Sequence, residues 1–314
     1  MNFKKLMYKG ELGYRVYLLL YKVGRWFRYD RISDERFVKE RFKMSQGYDL
    51  DLKNPKTLNE KICWLKLYYT HPDEHILADK FAVRDYIKKE LGEEYLIPLV
   101  FHTSNYRDLI PENFPDYPVI VKANHDSGSY LIIKDKSKVD WKKLQVDARF
   151  WMSRNYYYSD REKQYKPIKP CIVVEKLLLT EKGKIPNDYK FNCFHGEVGF
   201  IYVSIDREGS NKRNIYDQNW NPLHFTWAAK YKDVNKLRGE EIEPPSSLPE
   251  MIRLAKKLSK DFPYVRIDFY DVDGKVYFGE ITQHHGGGGD QIRPFEWDEK
   301  FGNMINLPKQ NYFY

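Results

Sequence analysis

Three cysteines in 314 residues, Cys63, Cys171 and Cys193, form no CxxC pair. So sparse and odd a set excludes a disulfide framework and reads as the reduced, buried thiols of a cytosolic protein. Long apolar runs are also missing. Mean hydropathy is −0.72, and no uninterrupted stretch approaches the ~20 residues of a spanning helix, which excludes a polytopic membrane protein. There is no internal repeat, no low-complexity tract and no GxxxxGK[ST] loop of the Walker type. Aromatics are plentiful at 16%, beside 42% hydrophobic and 31% charged residues, which excludes a wholly disordered chain. The length suffices for two or three packed domains or subdomains.

The net charge of +8 is uneven. Residues 1–30 hold seven Lys/Arg against Glu11 and Asp30, a local excess of five positive charges. Leu12, Val16, Leu19, Leu20 and Val23 recur there at helical spacing with basic residues between them, and Gly13 interrupts the pattern. The apolar stretch around Val16–Tyr21 is too short for a secretory signal, and no small-residue cleavage site follows it. Two readings stand: a helix on an anionic membrane face or acidic partner, or a first helix packed on the body with a solvated basic face. The second is the favoured expectation.

Further along, Thr57-Leu58-Asn59-Glu60 is a capping box that should open a helix through about Tyr69. A second helix is expected from near Ala78 to Glu90, ending before Gly92. Val119–Lys122 and Tyr130–Lys134 read as a hairpin, residues 140–165 as helical, and Cys171–Glu175 as a short strand. Tyr189–Phe194 and Val198–Ile205 form a second hairpin, turning at His195-Gly196. Residues 206–247 read as an irregular substrate loop or lid. Ser247-Leu248-Pro249-Glu250 is a second capping box, and Tyr264–Tyr270 with Val276–Ile281 form a third hairpin around Asp273-Gly274. Mixed helices and mostly antiparallel hairpins give an α+β class.

Four constellations carry chemistry. Val119-Ile120-Val121-Lys122 leads into Asn124-His125-Asp126-Ser127-Gly128-Ser129. Backbone N–H groups at a Gly/Ser tip, with a lysine at the strand end, suit phosphates, although such a tip alone is more often a turn. In Val265–Thr282, Arg266, Asp268 and Tyr270 alternate onto one strand face and Val265, Ile267 and Phe269 onto the other. Asp268 and Glu280 at the ends of paired strands, with Arg266 beside them, suit Mg²⁺ bridging polyphosphate oxygens; the bland alternative is a surface ion pair. His284 and His285 are adjacent, so joint chelation is not expected, and with Gly286 and Gly287 they read as a substrate-facing loop. Val173–Leu178, which contains Glu175, Lys176 and Leu177, is a strand end that can receive a flat base and is in isolation indistinguishable from a core strand.

Together with Asn54–Lys61, Leu77-Ala78-Asp79-Lys80-Phe81-Ala82-Val83-Arg84 and Asp188-Tyr189-Lys190, these segments resemble the TupA-like ATP-grasp family of bacterial surface-polysaccharide (teichuronopeptide, capsule) synthesis, from about Asn54 to Leu307. The resemblance implies an ATP-grasp fold of antiparallel sheets and helices, and residues 1–50, which read as helical on their own, precede it. The expected parts are a basic helical region at 1–50, an N-terminal ATP-grasp part at 51–116, a small ATP-binding lid at 117–180, and a C-terminal subdomain with the metal site at 181–314. Lys80 and Lys122 match two lysines that contact ATP phosphates. Asn124, Ser127, Gly128 and Ser129 match the closing loop, Glu175, Lys176 and Leu177 the adenine and ribose hinge, and Lys190 a basic residue facing the nucleotide. Arg266 matches the arginine that steadies the transferred phosphoryl group, and Asp268 and Glu280 the metal carboxylates. Thr282 stands where many ATP-grasp ligases have asparagine, and His284-His285 also depart from the family pattern.

The implied reaction is ATP-dependent carboxylate–amine ligation through an acyl phosphate, with two Mg²⁺ ions. The implied partners are a uronic-acid-containing saccharide or sugar nucleotide and an amine or amino acid, with no nucleic acid, in the cytoplasm or at the inner membrane face. The rivals are a glycosyltransferase, for which Asp271-Val272-Asp273 would be the DxD signature, and a non-catalytic carbohydrate-binding module. Parity sharpens the metal reading. A simple two-residue turn at Asp273-Gly274 would send Glu280 to the apolar face, so a bulged three-residue loop, Val272-Asp273-Gly274, with Gly274 at positive φ is expected.

Overall fold

The computed structural model describes residues 3–205, 209, 212–228 and 237–308. The chain divides into two units, Met1–Phe37 with Asp79–Phe81 and Pro98–Leu177, and Val38–Ala78 with Ala82–Ile97 and Leu178–Tyr314.

The first unit is built on strands β1 (Leu99–Thr103), β2 (Val119–Ala123), β3 (Tyr130–Ile133) and β4 (Ile172–Lys176), paired antiparallel in the order β1-β4-β2-β3. Alternation decides the faces. Val119, Val121 and Ala123 are buried with Leu144 and Ala148 of the Trp141–Met152 helix, while Ile120 and Lys122 take the other side. That helix is capped by the Asp140 side chain, which accepts from the Lys143 N–H at 2.9 Å.

The Gly10–Arg25 helix packs on the same helix through its tyrosines. Tyr17 and Tyr21 meet Phe150 edge-on at 5.3 and 5.5 Å, and the Arg149 guanidinium lies 3.8 Å from the Tyr14 ring centre. The favoured expectation of a helix packed on the body holds, but through a different face. Leu12, Val16, Leu19, Leu20 and Val23, the apolar periodicity seen in the sequence, are exposed.

The second unit carries five antiparallel strands: β5 (Asp188–Phe194), β6 (Glu197–Ile205), β7 (Lys212–Tyr216), β9 (Val265–Val272) and β10 (Lys275–Thr282), in the order β10-β9-β5-β6-β7. A separate pair joins β8 (Thr226–Ala228) to β11 (Gln291–Arg293). Tyr189, Phe191, Cys193, Ile201, Val203, Val265, Ile267 and Phe269 share one sheet face and pack with the Leu248–Ser259 helix through Met251, Leu254, Ala255 and Leu258. Asp188, Lys190, Asn192, Arg266 and Asp268 therefore line the opposite face.

The local signals divide instructively. The Thr57 capping box forms as expected: the hydroxyl accepts from the Glu60 N–H, and the Glu60 carboxylate accepts from the Thr57 N–H at 3.0 Å. The Ser247 box does not form. Ser247 donates to Asp271 instead, and Glu250 is taken up by Tyr95 and Arg253. The expected helix from Ala78 to Glu90 is two helices, Glu74–Ala78 and Val83–Glu90. At the break the Asp79 carboxylate accepts from the Phe81 N–H at 2.8 Å, a local bond that competes with helix. Residues 140–165 likewise divide into Trp141–Met152 and Tyr157–Asp160. The segment 206–247, read as irregular, contains β7 and β8; residues 206–208, 210–211 and 229–236 lie outside the described residues.

The third hairpin corrects the parity argument. Val272 pairs with Lys275, so Asp273 and Gly274 form a two-residue turn, with φ of 52° and 88°. Gly274 has the expected positive φ, but no three-residue loop is present. The extra residue is absorbed instead at a bulge between Phe278 and Glu280, after which Glu280 pairs with Asp268 and Thr282 with Arg266. Phe278 thereby joins the apolar face opposite Phe269, while Glu280 remains on the polar face. Gly279 suits the bulge because a Cβ there would lie 3.0 Å from the Asp268 carbonyl oxygen.

Candidate functional site

Lys80, Lys122, Asn124–Ser129, Glu175, Lys176 and Leu177 belong to the first unit. The register sets Lys122 opposite Val173 and Ile120 opposite Glu175, so Lys122 and Glu175 share a sheet face. Their side chains pair at 2.5 Å, both largely buried. The helix break brings Lys80 to the loop after β2: its N–H donates to the Asn124 carbonyl at 3.0 Å and its ammonium to the Asp126 carbonyl.

That loop is anchored by buried side chains, with only Ser127 and Gly128 exposed at its tip. The Asn124 amide donates to the Asp79 carboxylate at 2.9 Å and accepts from the Cys171 N–H at 2.7 Å. Asp126 accepts from Arg154 at 2.8 Å and from Ser129. His125 places its Nε2 3.1 Å from the Arg154 carbonyl. The small residues of the sequence pattern form only the tip; His125, Asp126 and Arg154 hold the segment. At the end of β4 the N–H groups of Lys176 and Leu177 donate to the Pro98 and Pro118 carbonyls at 3.0 and 2.9 Å.

In the second unit, strand pairing creates a charge cluster. Lys190 on β5 lies opposite Asp268 on β9, and Asp268 opposite Glu280 on β10. Arg266 donates through Nε and Nη2 to the Asp268 carboxylate at 2.6 and 2.7 Å, and through Nη2 to Glu280 at 2.5 Å. Lys190 donates to Asp268 at 2.9 Å and also to Asp188. The Thr282 hydroxyl donates to Glu280 at 3.2 Å. Lys190, Arg266, Asp268, Glu280 and Thr282 are therefore brought together on one sheet face. Asp188 joins this cluster as well, and the two-residue alternation of β5 puts it on the face of Lys190.

Burial pushes the Asp268 carboxyl up, to about 6, against the opposing pull of Arg266 and Lys190. Glu280 keeps 43% of its side chain exposed, so one carboxylate of the pair is dry and the other reachable. Among the described residues no group of three His, Cys, Asp or Glu side chains is placed to hold a metal ion. Two carboxylates and a hydroxyl form an all-oxygen set, which fits a hard cation that keeps several water or phosphate ligands. The observed donor chemistry is thus compatible with Mg²⁺.

His284 and His285 are both buried. The His285 ring lies 3.9 Å from that of Trp227, and burial pushes its imidazole down to about 4, leaving it neutral near pH 7. Arginine can only donate, so Nδ1 accepts from Arg266 at 2.7 Å and the proton sits on Nε2, 3.5 Å from the Asp290 carboxylate. Gly286, Gly287 and Gly288 all have positive φ. The Gly287 carbonyl accepts from Lys66 of the Leu58–Tyr68 helix at 2.7 Å, and a Cβ at Gly288 would lie 2.5 Å from Cys63 Sγ. The glycines thus serve a close backbone approach. Asp271 and Asp273, the DxD pair of the glycosyltransferase alternative, both accept backbone N–H groups: Asp271 that of Gly274 within the turn at 3.2 Å, and Asp273 that of Glu181 at 2.8 Å.

Solved structures with fold similarity include D-alanine–D-alanine ligase of Helicobacter pylori, at 17% identity over 80% of this chain and 69% of that one, with a TM-score of 0.41. The Bacillus anthracis D-alanine–D-alanine ligase is 18% identical over 66% of this chain, with a TM-score of 0.35, and only 56% of its own length is covered. An N5-carboxyaminoimidazole ribonucleotide synthetase solved with ADP is 13% identical over 81% of this chain and 58% of that one, with a TM-score of 0.41. No curated protein matches the sequence. The family described as TupA-like ATPgrasp matches residues 60–306 and takes in Lys80, Lys122, Glu175, Lys190, Arg266, Asp268, Glu280 and Thr282. By that match, the chain belongs to the TupA-like ATP-grasp family.

Proposed function

We propose that the protein is an ATP-dependent carboxylate–amine ligase. The observation that carries this reading is the buried Arg266, held between Asp268 and Glu280 on the face that also presents Lys190. Such a site stabilises transferring phosphoryl charge and needs no protein nucleophile, because a substrate carboxylate is one already.

In the proposed reaction, a carboxylate oxygen of the acid attacks the γ-phosphorus of ATP. The bond to the β,γ-bridging oxygen breaks, giving an acyl phosphate and ADP. The amine then adds to the acyl carbon, phosphate leaves, and the amine proton passes to solvent. Lys80 and Lys122 bind the phosphates, and Arg266 neutralises charge on the transferred group. Asp268 and Glu280, with Thr282, would hold Mg²⁺, which supplies charge neutralisation at the phosphate oxygens.

The family's link to surface polysaccharides supports a uronic acid as the acid and an amino acid or other amine as its partner. The test is a screen of uronic acids and amines, followed by reaction of the active acid labelled with ¹⁸O in its carboxylate. One labelled oxygen is expected in the released phosphate. Label retained wholly in the amide and unreacted acid would overturn the acyl phosphate route.

A further inference from the structure

Leu12, Val16, Leu19, Leu20 and Val23 stand exposed on the Gly10–Arg25 helix, Leu12 at 77% and Leu19 at 62%. At about 100° per residue they fall within about 100° of arc, opposite the Tyr14, Tyr17 and Tyr21 face packed on Phe150. Trp26 and Phe27 extend the stripe past the helix end and are exposed too, with their rings edge-on at 4.9 Å. An apolar face of this length is unusual on a soluble surface and marks a docking site. Lys5, Lys9, Lys22 and Arg28 on the same segment are exposed. Both acidic residues of the segment already have basic partners: Glu11 meets Arg15 and Arg149 at 2.8 and 2.7 Å, and Asp30 meets Arg25 at 3.3 Å.

We propose that this face docks on an anionic phospholipid bilayer. The apolar stripe would enter the boundary between headgroups and acyl chains, with the lysines and Arg28 at the anionic headgroups. Trp26 suits that boundary, where an aromatic ring is half apolar and half wet. Charge decides against a second copy of the chain as occupant, because pairing two such faces would bring two excesses of five positive charges together. No described helix is long and apolar enough to cross a membrane, so the contact is peripheral.

The test is sedimentation of the full chain with vesicles of phosphatidylcholine containing phosphatidylglycerol, and with phosphatidylcholine alone. Binding to the anionic vesicles is expected, weakening with salt, and Lys22→Gln should weaken it about fivefold. Leu19→Asp/Val23→Asp should abolish it with an unchanged circular dichroism spectrum. Should that variant fail to fold, Lys22→Gln and the salt dependence decide. Three results would overturn the proposal: no binding to anionic vesicles, equal binding to neutral ones, or a dimer that Leu19→Asp/Val23→Asp disperses without any vesicle binding.

Discussion

Arg266→Met removes the guanidinium from the centre of the cluster and leaves a side chain of comparable length. Arg266 is 8% exposed and Asp268 only 2%. The substitution therefore strands a buried carboxylate that has lost two hydrogen bonds, at 2.6 and 2.7 Å. Removing one partner of a buried pair costs about 3–5 kcal/mol. The lower end applies here, because Lys190 remains 2.9 Å from Asp268 and the half-exposed Glu280 can be hydrated. Urea denaturation followed by tryptophan fluorescence measures the loss.

Two further arms separate charge from packing. Arg266→Met/Asp268→Asn removes the stranded charge and should recover at least half of the loss, a coupling of about 1.5 kcal/mol or more. The pH dependence follows by linkage. Without the arginine, the folded-state Asp268 carboxyl rises further above its unfolded value, so the folded state binds the proton more tightly. The loss should then be larger at about pH 8 than at about pH 5. A cost under about 1 kcal/mol for Arg266→Met, or a double variant no more stable than the single one, would refute the assignment of a charged, buried cluster.

Gly279→Val should destabilise by about 1–3 kcal/mol in urea, because its Cβ would sit 3.0 Å from backbone that β9 cannot move; stability equal to wild type would show that the bulge has room. Burial pushes the Cys171 and Cys193 thiols up to about 12. At about pH 8 they are almost wholly protonated, so the native protein should react slowly with a thiol-titrating disulfide, and all three cysteines should react once it is unfolded. His285→Ala leaves a buried arginine N–H without its acceptor and should cost about 1–3 kcal/mol in the same urea assay; no change would remove His285 as the partner that holds Arg266.

Much of the second unit was legible because strand alternation is local information. Arg266, Asp268 and the apolar Val265, Ile267 and Phe269 separated onto two faces from spacing alone. The position of Glu280 required one residue of offset, and sequence supplies two ways to absorb it. Asp273-Gly274 has the chemistry of a tight two-residue turn, and the neighbouring glycine takes up the offset as a bulge. Only the packing of Phe278 against Phe269 and the close Asp268 backbone distinguish the two.

Other features depend on distant partners. The split at Asp79 delivers Lys80 to the loop after β2 through Asn124, 44 residues away in sequence. The amphipathic pattern of the first helix was plain, but two faces compete for burial. Phe150 and Arg149 select the tyrosines over the aliphatic residues. The glycine run reads as a substrate-facing loop because nothing local announces Trp227, Lys66 or Cys63 as its neighbours.

Titration calorimetry of ATP with Mg²⁺ into the full chain tests the central claim most directly. Wild type should bind in a Mg²⁺-dependent manner. Lys122→Ala removes one charge-assisted contact of about 1.5–3 kcal/mol and should weaken binding about 10- to 150-fold, and Lys80→Ala should weaken it comparably. No binding by wild type, or unchanged affinity in both lysine variants, would contradict a nucleotide site built on Lys80 and Lys122.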